Sequence, residues 1–281
     1  MITVPRIIFV NNQFLPEQQA TVPVMDRGFL FADSVYEVSA VINGRLVDNE
    51  AHVDRLFRSL GEIKIKPDFS KADVIKYQKE LLKRNNLNEG LVYIQVTRGT
   101  AERDFGYDGN MKPNFVMFTQ SKNVLSNPYH KTGAKAITIP DIRWSRRDIK
   151  STALLAQVMA KNTAKEQGVF EAIMHQNGYI TEGSSSNVFI VKDDKLITKS
   201  ISNEILSGIT RRAILQIADN KKLQVEERNI QLNELFSADE CFITSASNLL
   251  IGIIEVDGKK IGNNEVGAVT NMLLKTYLEM I

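Results

Sequence analysis

The chain has 281 residues, 43% of them hydrophobic and 24% charged; this excludes a disordered or collagen-like polymer and, at roughly 150 residues per domain, leaves room for one large domain or two modest ones. Thirty-five Lys and Arg against 33 Asp and Glu give a net charge of +2, so no global basic field marks a nucleic-acid binder. The one cysteine, Cys241, allows no intramolecular disulfide and fits a reducing compartment. No apolar run approaches the ~20 residues of a membrane-spanning helix, and no basic, apolar leader opens the chain; a cytoplasmic enzyme with no membrane and no nucleic-acid partner is the expectation.

From the N-terminus, the first hairpin signal is Asn43-Gly44, set between the strand-like runs Val38–Ile42 and Arg45–Val47. Its dipeptide tolerates the positive φ angles that a two-residue hairpin turn demands. Helical periodicity follows from His52 to Ile63, with Val53, Leu56, Phe57 and Leu60 on one face, and again from Lys71 to Arg84. The stretch Gln120 to Thr132 carries Ser121, Asn123, Ser126, Asn127 and Pro128 between two strand-like runs, Phe115–Phe118 and Ala136–Ile139. Such polar, Pro-containing stretches are loop signals. They predict a smaller N-terminal domain over residues 1–120, a linker over 121–132 and a larger domain over 133–281. A third helix is predicted from Ser151 to Gln167. Hairpins are then expected at Asn177-Gly178, more weakly at Asp193-Asp194, and at Asp257-Gly258, with helices over Thr210–Asp219 and Ala268–Met280. Hairpins with intervening helices and no repeat argue an α+β fold rather than a doubly wound parallel sheet.

Several loops carry legible chemistry. Thr181–Asn187 places three serines and a glycine beside Glu182, which reads either as a polar pocket floor or as a plain Ser-rich turn. Leu206–Arg211 brings Gly208 and Thr210 to the start of a helix. That reads as an anion-binding helix N-terminus or as ordinary capping by Ser207 or Thr210. Thr244–Asn248 is a third small-residue loop after a strand. Lys150 sits close to Arg143, Arg146 and Arg147, which would depress the pKa of a nearby amine or simply form a solvated surface. Arg55 reads alone as a surface ion-pair partner, and Tyr36 as a core tyrosine with its hydroxyl satisfied. No phosphate-binding G-x-x-x-x-G-K motif, H-E-x-x-H or C-x-x-C spacing is present, so neither a P-loop nor a metal site is expected. His52, His130 and His175 are scattered. His175 reads as a satisfied structural histidine, Trp144 as packing and Cys241 as a small buried apolar residue.

Taken together, these segments resemble the fold-type IV pyridoxal-phosphate (PLP) aminotransferases, and within that family the D-amino acid group most. The match runs from Asp26–Phe31 to the final helix, and its strongest pieces are Arg143–Lys150, Thr181–Val188 and Leu206–Arg211. The resemblance implies a two-domain α+β architecture with pyridoxal 5′-phosphate at the domain interface, and a homodimer. It implies that Lys150 forms the Schiff base with the cofactor and moves the proton at the substrate Cα. Glu182 then faces the pyridine nitrogen, so that the ring serves as an electron sink. Arg55, Gly208, Ile209, Thr210, Ser245 and Ala246 surround the phosphate. Ala246 stands where relatives carry a threonine, so one hydroxyl contact is absent. Leu206 packs on the ring face, and Ser185 and Ser186 complete the cofactor contacts. For the substrate carboxylate, relatives use a tyrosine and an Arg-x-His pair from the partner subunit; here Tyr36 and Arg103 match, and Phe105 replaces the histidine. Phe offers no hydrogen bond, and losing one to a charged group costs roughly 1.5–3 kcal/mol. The implied activity is ping-pong transfer of an amino group from a D-amino acid, of the D-alanine or D-glutamate type, to a 2-oxo acid. An (R)-selective amine transaminase, a branched-chain aminotransferase and, further off, aminodeoxychorismate lyase share the scaffold.

Overall fold

The computed structural model describes residues 5–281, which form two compact units. The first runs to Leu125 and takes in Ile149–Ala153; the second comprises Ser126–Asp148 and Leu154–Ile281. Among the described residues no helix is long and apolar enough to cross a membrane.

The first unit contains strands β1 (Ile7–Val10) and β2 (Gln13–Pro16), a short helix α1 (Arg27–Phe31), and strands β3 (Ser34–Ile42) and β4 (Arg45–Leu46). Helices α2 (Asn49–Glu62) and α3 (Lys71–Asn85) and strands β5 (Gly90–Thr97) and β6 (Phe115–Ser121) complete it. Its six strands form an antiparallel sheet in the order β2-β1-β6-β5-β3-β4. The apolar face of α2 is the one its periodicity predicts: Val53, Leu56 and Leu60 are buried and Phe57 partly so, packed with Phe9, Val92, Ile94 and Met117. Because β4 pairs only with Val41 and Ile42, the opposite end of β3 keeps a free edge on that side. Ile149–Ala153 occupies it. Tyr36 N donates to Lys150 O at 2.9 Å, Thr152 N donates to Ser34 O at 3.1 Å, and Ile149 joins the core.

The second unit contains α4 (Tyr129–Thr132), β7 (Ala134–Pro140), α5 (Leu155–Glu166), β8 (Glu171–Gln176), β9 (Tyr179–Gly183), β10 (Asn187–Lys192) and β11 (Lys195–Thr198). It continues with α6 (Ile209–Asn220), β12 (Gln224–Glu227), α7 (Leu232–Phe236), β13 (Glu240–Ser245), β14 (Leu249–Val256), β15 (Lys259–Lys260) and α8 (Ala268–Met280). The strands run β12-β11-β10-β13-β14-β7-β8-β9, with β15 on β14. Three pairs are parallel: β11 with β12, β14 with β7, and β7 with β8. A parallel pair needs a long crossover, and α5 supplies it between β7 and β8, burying Ala160 and Ala164 on Ile137, Ala172 and Met174. The main core is built from Ile173, Ile180, Val188, Ile190, Ile243 and Ile251.

All four expected hairpin turns are present, with positive φ at both central residues; Asn43 and Gly44 show 52° and 71°. Asp193-Asp194 closes its turn without a glycine, as Asp tolerates the left-handed region. A fifth hairpin, at Asn11-Asn12, was not anticipated. The third helix starts at Leu155 rather than Ser151, because the backbone of residues 150–152 is spent on the edge of β3. Trp144 is 45% exposed and so is not core packing, whereas Cys241 is buried as expected.

Candidate active site

In the first unit, β3 carries Tyr36 and Glu37, and α2 carries His52, Arg55 and Ser59. The Lys150 Nζ lies 4.2 Å from the centroid of the Tyr36 ring. Its backbone is fixed on both sides, by the Tyr36 bond and by donation from Lys150 N to Ser59 Oγ at 3.4 Å. Tyr36 in turn stacks on Tyr93 at 5.6 Å, and burial raises the Tyr93 phenol well above its ordinary value. Glu37 is fully buried. Arg55 grips it with two bonds, Nε to Oε1 at 2.7 Å and Nη2 to Oε2 at 2.9 Å, while His52 Nδ1 meets Oε2 at 2.8 Å. Arg55 is therefore a buried, oriented guanidinium, not a surface ion-pair partner. Burial pushes the Glu37 carboxyl up, but Arg55 and His52 outweigh it and bring its pKa down to about 2. Burial also lowers the pKa of His52, so its ring stays neutral.

In the second unit, Thr181, Glu182 and Gly183 end β9, and Asn187 begins β10. Glu182 is buried, and its two oxygens face different partners. Arg143 Nη1 donates to Oε1 in an ion pair; Asn187 Nδ2 and the Leu206 N–H each donate to Oε2 at 3.1 Å. Burial raises the Glu182 carboxyl above its ordinary value, and Arg143 offsets that rise only in part. Arg143 is itself held by Asp141, through Nε at 3.0 Å and Nη2 at 2.7 Å, and Thr181 Oγ1 donates to the same carboxylate at 2.6 Å. Burial raises the Asp141 carboxyl, and its bonds from Arg143 overcome this and lower it.

Asn187 is where the second-unit candidates meet. Besides Glu182 it donates to Leu206 O at 2.9 Å, and it pairs with Thr244 across β10 and β13. A Cβ on Gly208 would lie 2.0 Å from its Oδ1, so any larger residue there would have to displace the Asn187 amide. Gly208 is the N-cap of α6, and no side chain caps that helix; neither Ser207 nor Thr210 does so. The first amides of α6, at Ile209 and Thr210, are thus left to an external acceptor, as the opening turn of any helix provides. Beside them, the Thr244 hydroxyl is buried with no partner, and Ser245 and Ala246 follow it in a turn where Asn248 Nδ2 reaches Ser245 Oγ at 3.4 Å. An uncapped helix start, an orphaned hydroxyl and a buried carboxylate on one asparagine fit a group that is anionic at one end and cationic at the other. Pyridoxal 5′-phosphate with its ring protonated is such a group.

The hydroxyl of Ser186 is already committed, donating to Glu171 Oε2 at 3.0 Å; Ser184 donates to Oε1 of the same buried residue. Ser185 is exposed. Glu171, Asn187, Asp141 and Glu37 were not singled out from the sequence, and His52 was noted there only as one of three scattered histidines. For Glu37 and His52 the signal was a polar residue inside a strand or helix face that is otherwise largely apolar; Glu171 and Asn187 begin their strands and Asp141 follows β7. Arg103 and Phe105 lie on an exposed segment of the first unit, with Phe105 79% exposed and its ring 5.4 Å from that of Phe31.

Comparison with known proteins adds the following. The family model described as Amino-transferase class IV matches residues 34–256. D-alanine aminotransferase of Staphylococcus epidermidis is 38% identical over 277 residues, covering 98% of this chain and 97% of its own. That of Bacillus licheniformis is 38% identical over 265 residues, covering 94% and 93%. Among solved structures, a branched-chain amino acid aminotransferase from Escherichia coli superposes with a TM-score of 0.92 at 21% identity, covering 99% and 95%. Another, from T.th. and with pyridoxamine 5′-phosphate, does so with a TM-score of 0.90 at 23% identity, covering 98% and 94%. The architecture expected from the sequence is the one these neighbours share.

Proposed function

This chain belongs to the class IV amino-transferases, and from that premise we propose that it is a pyridoxal 5′-phosphate-dependent transaminase that moves the amino group of a D-amino acid, of the D-alanine or D-glutamate type, to a 2-oxo acid. The observation that carries the chemistry is the meeting on Asn187 of a buried carboxylate and an uncapped helix start. The D-configuration of the donor rests on the likeness to D-alanine aminotransferases over nearly the whole chain.

When bound, the cofactor supplies an aldehyde for the donor's amino group and a ring that draws electrons from its Cα. Lys150 would hold the cofactor through its Nζ and, when free of it, would take up the proton from the donor Cα on that same Nζ. Its clamped backbone and the Tyr36 ring limit where that Nζ travels. Glu182 would face the pyridine nitrogen and hold a proton there, and Arg143, itself held by Asp141, fixes the orientation of Glu182. Arg55, aimed by Glu37, and the amides of Ile209, Thr210 and Ala246 with the Ser245 hydroxyl meet the phosphate dianion. Leu206 packs on the ring. Gly208 leaves room for the approach, and Ser185 and Ser186 shape the loop beside it. Tyr36 and Arg103 hold the donor carboxylate, Arg103 from the partner subunit of a homodimer. The exposed apolar side chains Ile142, Leu155, Val158 and Met159 support such a pairing of copies. The enzyme works in the cytoplasm.

The test is a half-reaction panel on the loaded enzyme, with D-alanine, D-glutamate, L-leucine and an (R)-arylamine, read in the cofactor absorbance. Conversion by the D-amino acids is the expected result, and Lys150→Ala should abolish it. Normal transamination by that variant would overturn the mechanism. Phe105 favours a second reading, an (R)-amine transaminase, because an apolar ring suits a donor with no carboxylate; preference for the arylamine would select it. Preference for L-leucine would instead select a branched-chain enzyme.

A further inference from the structure

From Glu102 to Asn110 every residue is exposed and none lies in a helix or strand. Within this segment the bonds are short-range turns, such as Gly106 N to Asp104 Oδ1 at 3.0 Å. Among the described residues, the hydrogen bonds that tie it to another element all come from one side chain. Arg27, on α1, donates through Nη1 to Asp104 O and to Gly106 O at 3.2 Å, and through Nη2 to Phe105 O at 3.1 Å. Three successive carbonyls thus converge on one guanidinium, whose planar fork suits them where an ammonium would not.

That guanidinium is itself built in. It is 4% exposed, and its Nε donates to Asp33 Oδ2 at 2.9 Å. Asp33 is gripped as well by Arg98, which donates through Nε to the same Oδ2 at 2.7 Å and through Nη2 to Oδ1 at 2.9 Å. Arg98 also donates to Ile63 O at 2.7 Å and lies 3.7 Å from the Tyr107 ring centroid. The start of α1 is pinned by Asp26, which accepts from Gly28 N, Thr97 Oγ1 and Asn114 Nδ2 at 2.6–2.8 Å. At the other end of α1, the Phe31 ring receives Arg27 at 4.8 Å, Arg103 at 5.4 Å and the Phe105 ring at 5.4 Å. One five-residue helix therefore supplies both the clamp on the segment's backbone and the surface its side chains rest on.

We infer that Arg27 is a positioning residue for the donor carboxylate: it fixes the backbone at Asp104–Gly106 and so fixes where Arg103 and Phe105 present their side chains. The inference rests on the reading that Arg103 binds that carboxylate. Phe105 brings no donor, so Arg103 is the segment's hydrogen-bonding group for an anion there, and its placement depends on the clamp. Arg27 never meets the substrate.

The experiment compares loaded wild type with Arg27→Lys, Arg27→Gln, Arg103→Ala and the double variant R27K/R103A. Amide hydrogen exchange over residues 101–113 and the kcat and KM for D-alanine are measured on each. The lysine variant keeps Asp33 paired, which guards against loss of the fold in the glutamine variant. In both Arg27 variants, exchange at Phe105 and Gly106 should rise. KM should rise about tenfold with kcat within about threefold, and the double variant should be no worse than Arg103→Ala, as expected for residues acting through one contact. Unchanged exchange refutes the clamp. Faster exchange with unchanged KM, while Arg103→Ala raises KM, refutes the positioning role and leaves Arg103 standing. If Arg103→Ala leaves KM unchanged, the reading of Arg103 fails and takes the positioning role with it, whatever the exchange shows.

Discussion

The surroundings of Glu182 and the segment that bears Arg103 are built on opposite plans. Around Glu182 each polar group has a partner that has a partner of its own: Asn187 and Leu206 on one oxygen, Arg143 on the other, Asp141 behind Arg143, Thr181 behind Asp141. The segment from Glu102 to Asn110 is solvent-facing and hangs on Arg27. A buried, closed network rigidifies because each member's movement would strand a charge. An exposed segment on one clamp is easily retuned. Under the proposed function, the ring chemistry rests on the first plan and the grip on the donor on the second.

Glu182→Gln tests the closed side most severely. It keeps the shape and removes the charge, and single-turnover kinetics should show the proton-transfer half-reaction slowed by about 10²–10³-fold; an unchanged rate would mean that Glu182 has no part in the ring's electronics. Arg143→Leu strands Glu182 in a dry site, and the denaturation midpoint should report a loss of about 3–5 kcal/mol. A drop below about 1 kcal/mol would show that the network is looser than its geometry. The first unit has a closed cluster of its own, and acid reaches it. Glu37 has a folded pKa of about 2, below its ordinary 4.5. Its contribution, roughly 3 kcal/mol, is fully present above about pH 4.5 and is lost as pH falls through about 2. Neutral, buried His52 adds to the same trend, since the unfolded state binds its proton first as pH falls below the ordinary histidine value. Stability measured from about pH 7 to about pH 2 should fall accordingly, and a flat profile would contradict the pairing. On the open side, Phe105→His should lower KM for D-alanine by one to two decades, the worth of roughly 1.5–3 kcal/mol for one bond to a charged group. An effect on kcat instead of KM would blur the division of labour drawn above.

What the sequence made legible follows from how local each signal is. Hairpin turns at Asn43-Gly44, Asn177-Gly178, Asp193-Asp194 and Asp257-Gly258 need only their own two residues, and all four formed. Asn11-Asn12 obeys the same rule, with φ of 46° and 68°, and was not anticipated. Ser151–Ala153 has helical neighbours, yet its backbone is taken by β3, a tertiary claim that no local pattern displays. The loops that bear Glu182 and Gly208 stood out from their own residues, and the resemblance supplied the roles expected of them and of Lys150. Their supports were not legible, because Glu37, Glu171 and Asp141 owe their roles to partners about 13 to 40 positions away.

The excursion of Ile149–Ala153 has a final consequence for anyone who would take the protein apart. The polypeptide crosses from one unit to the other at Leu125, at Asp148 and again at Ala153. Cutting after Leu125 therefore does not yield two self-sufficient modules: the N-terminal fragment loses the ribbon that seals the rim of its sheet, and the C-terminal fragment carries that ribbon away with the amine-bearing Lys150 on it. Shuffling these halves among relatives would transplant Lys150 without the Tyr36 and Ser59 that steady its backbone, so a chimaera that keeps these contacts must take its seams in pairs.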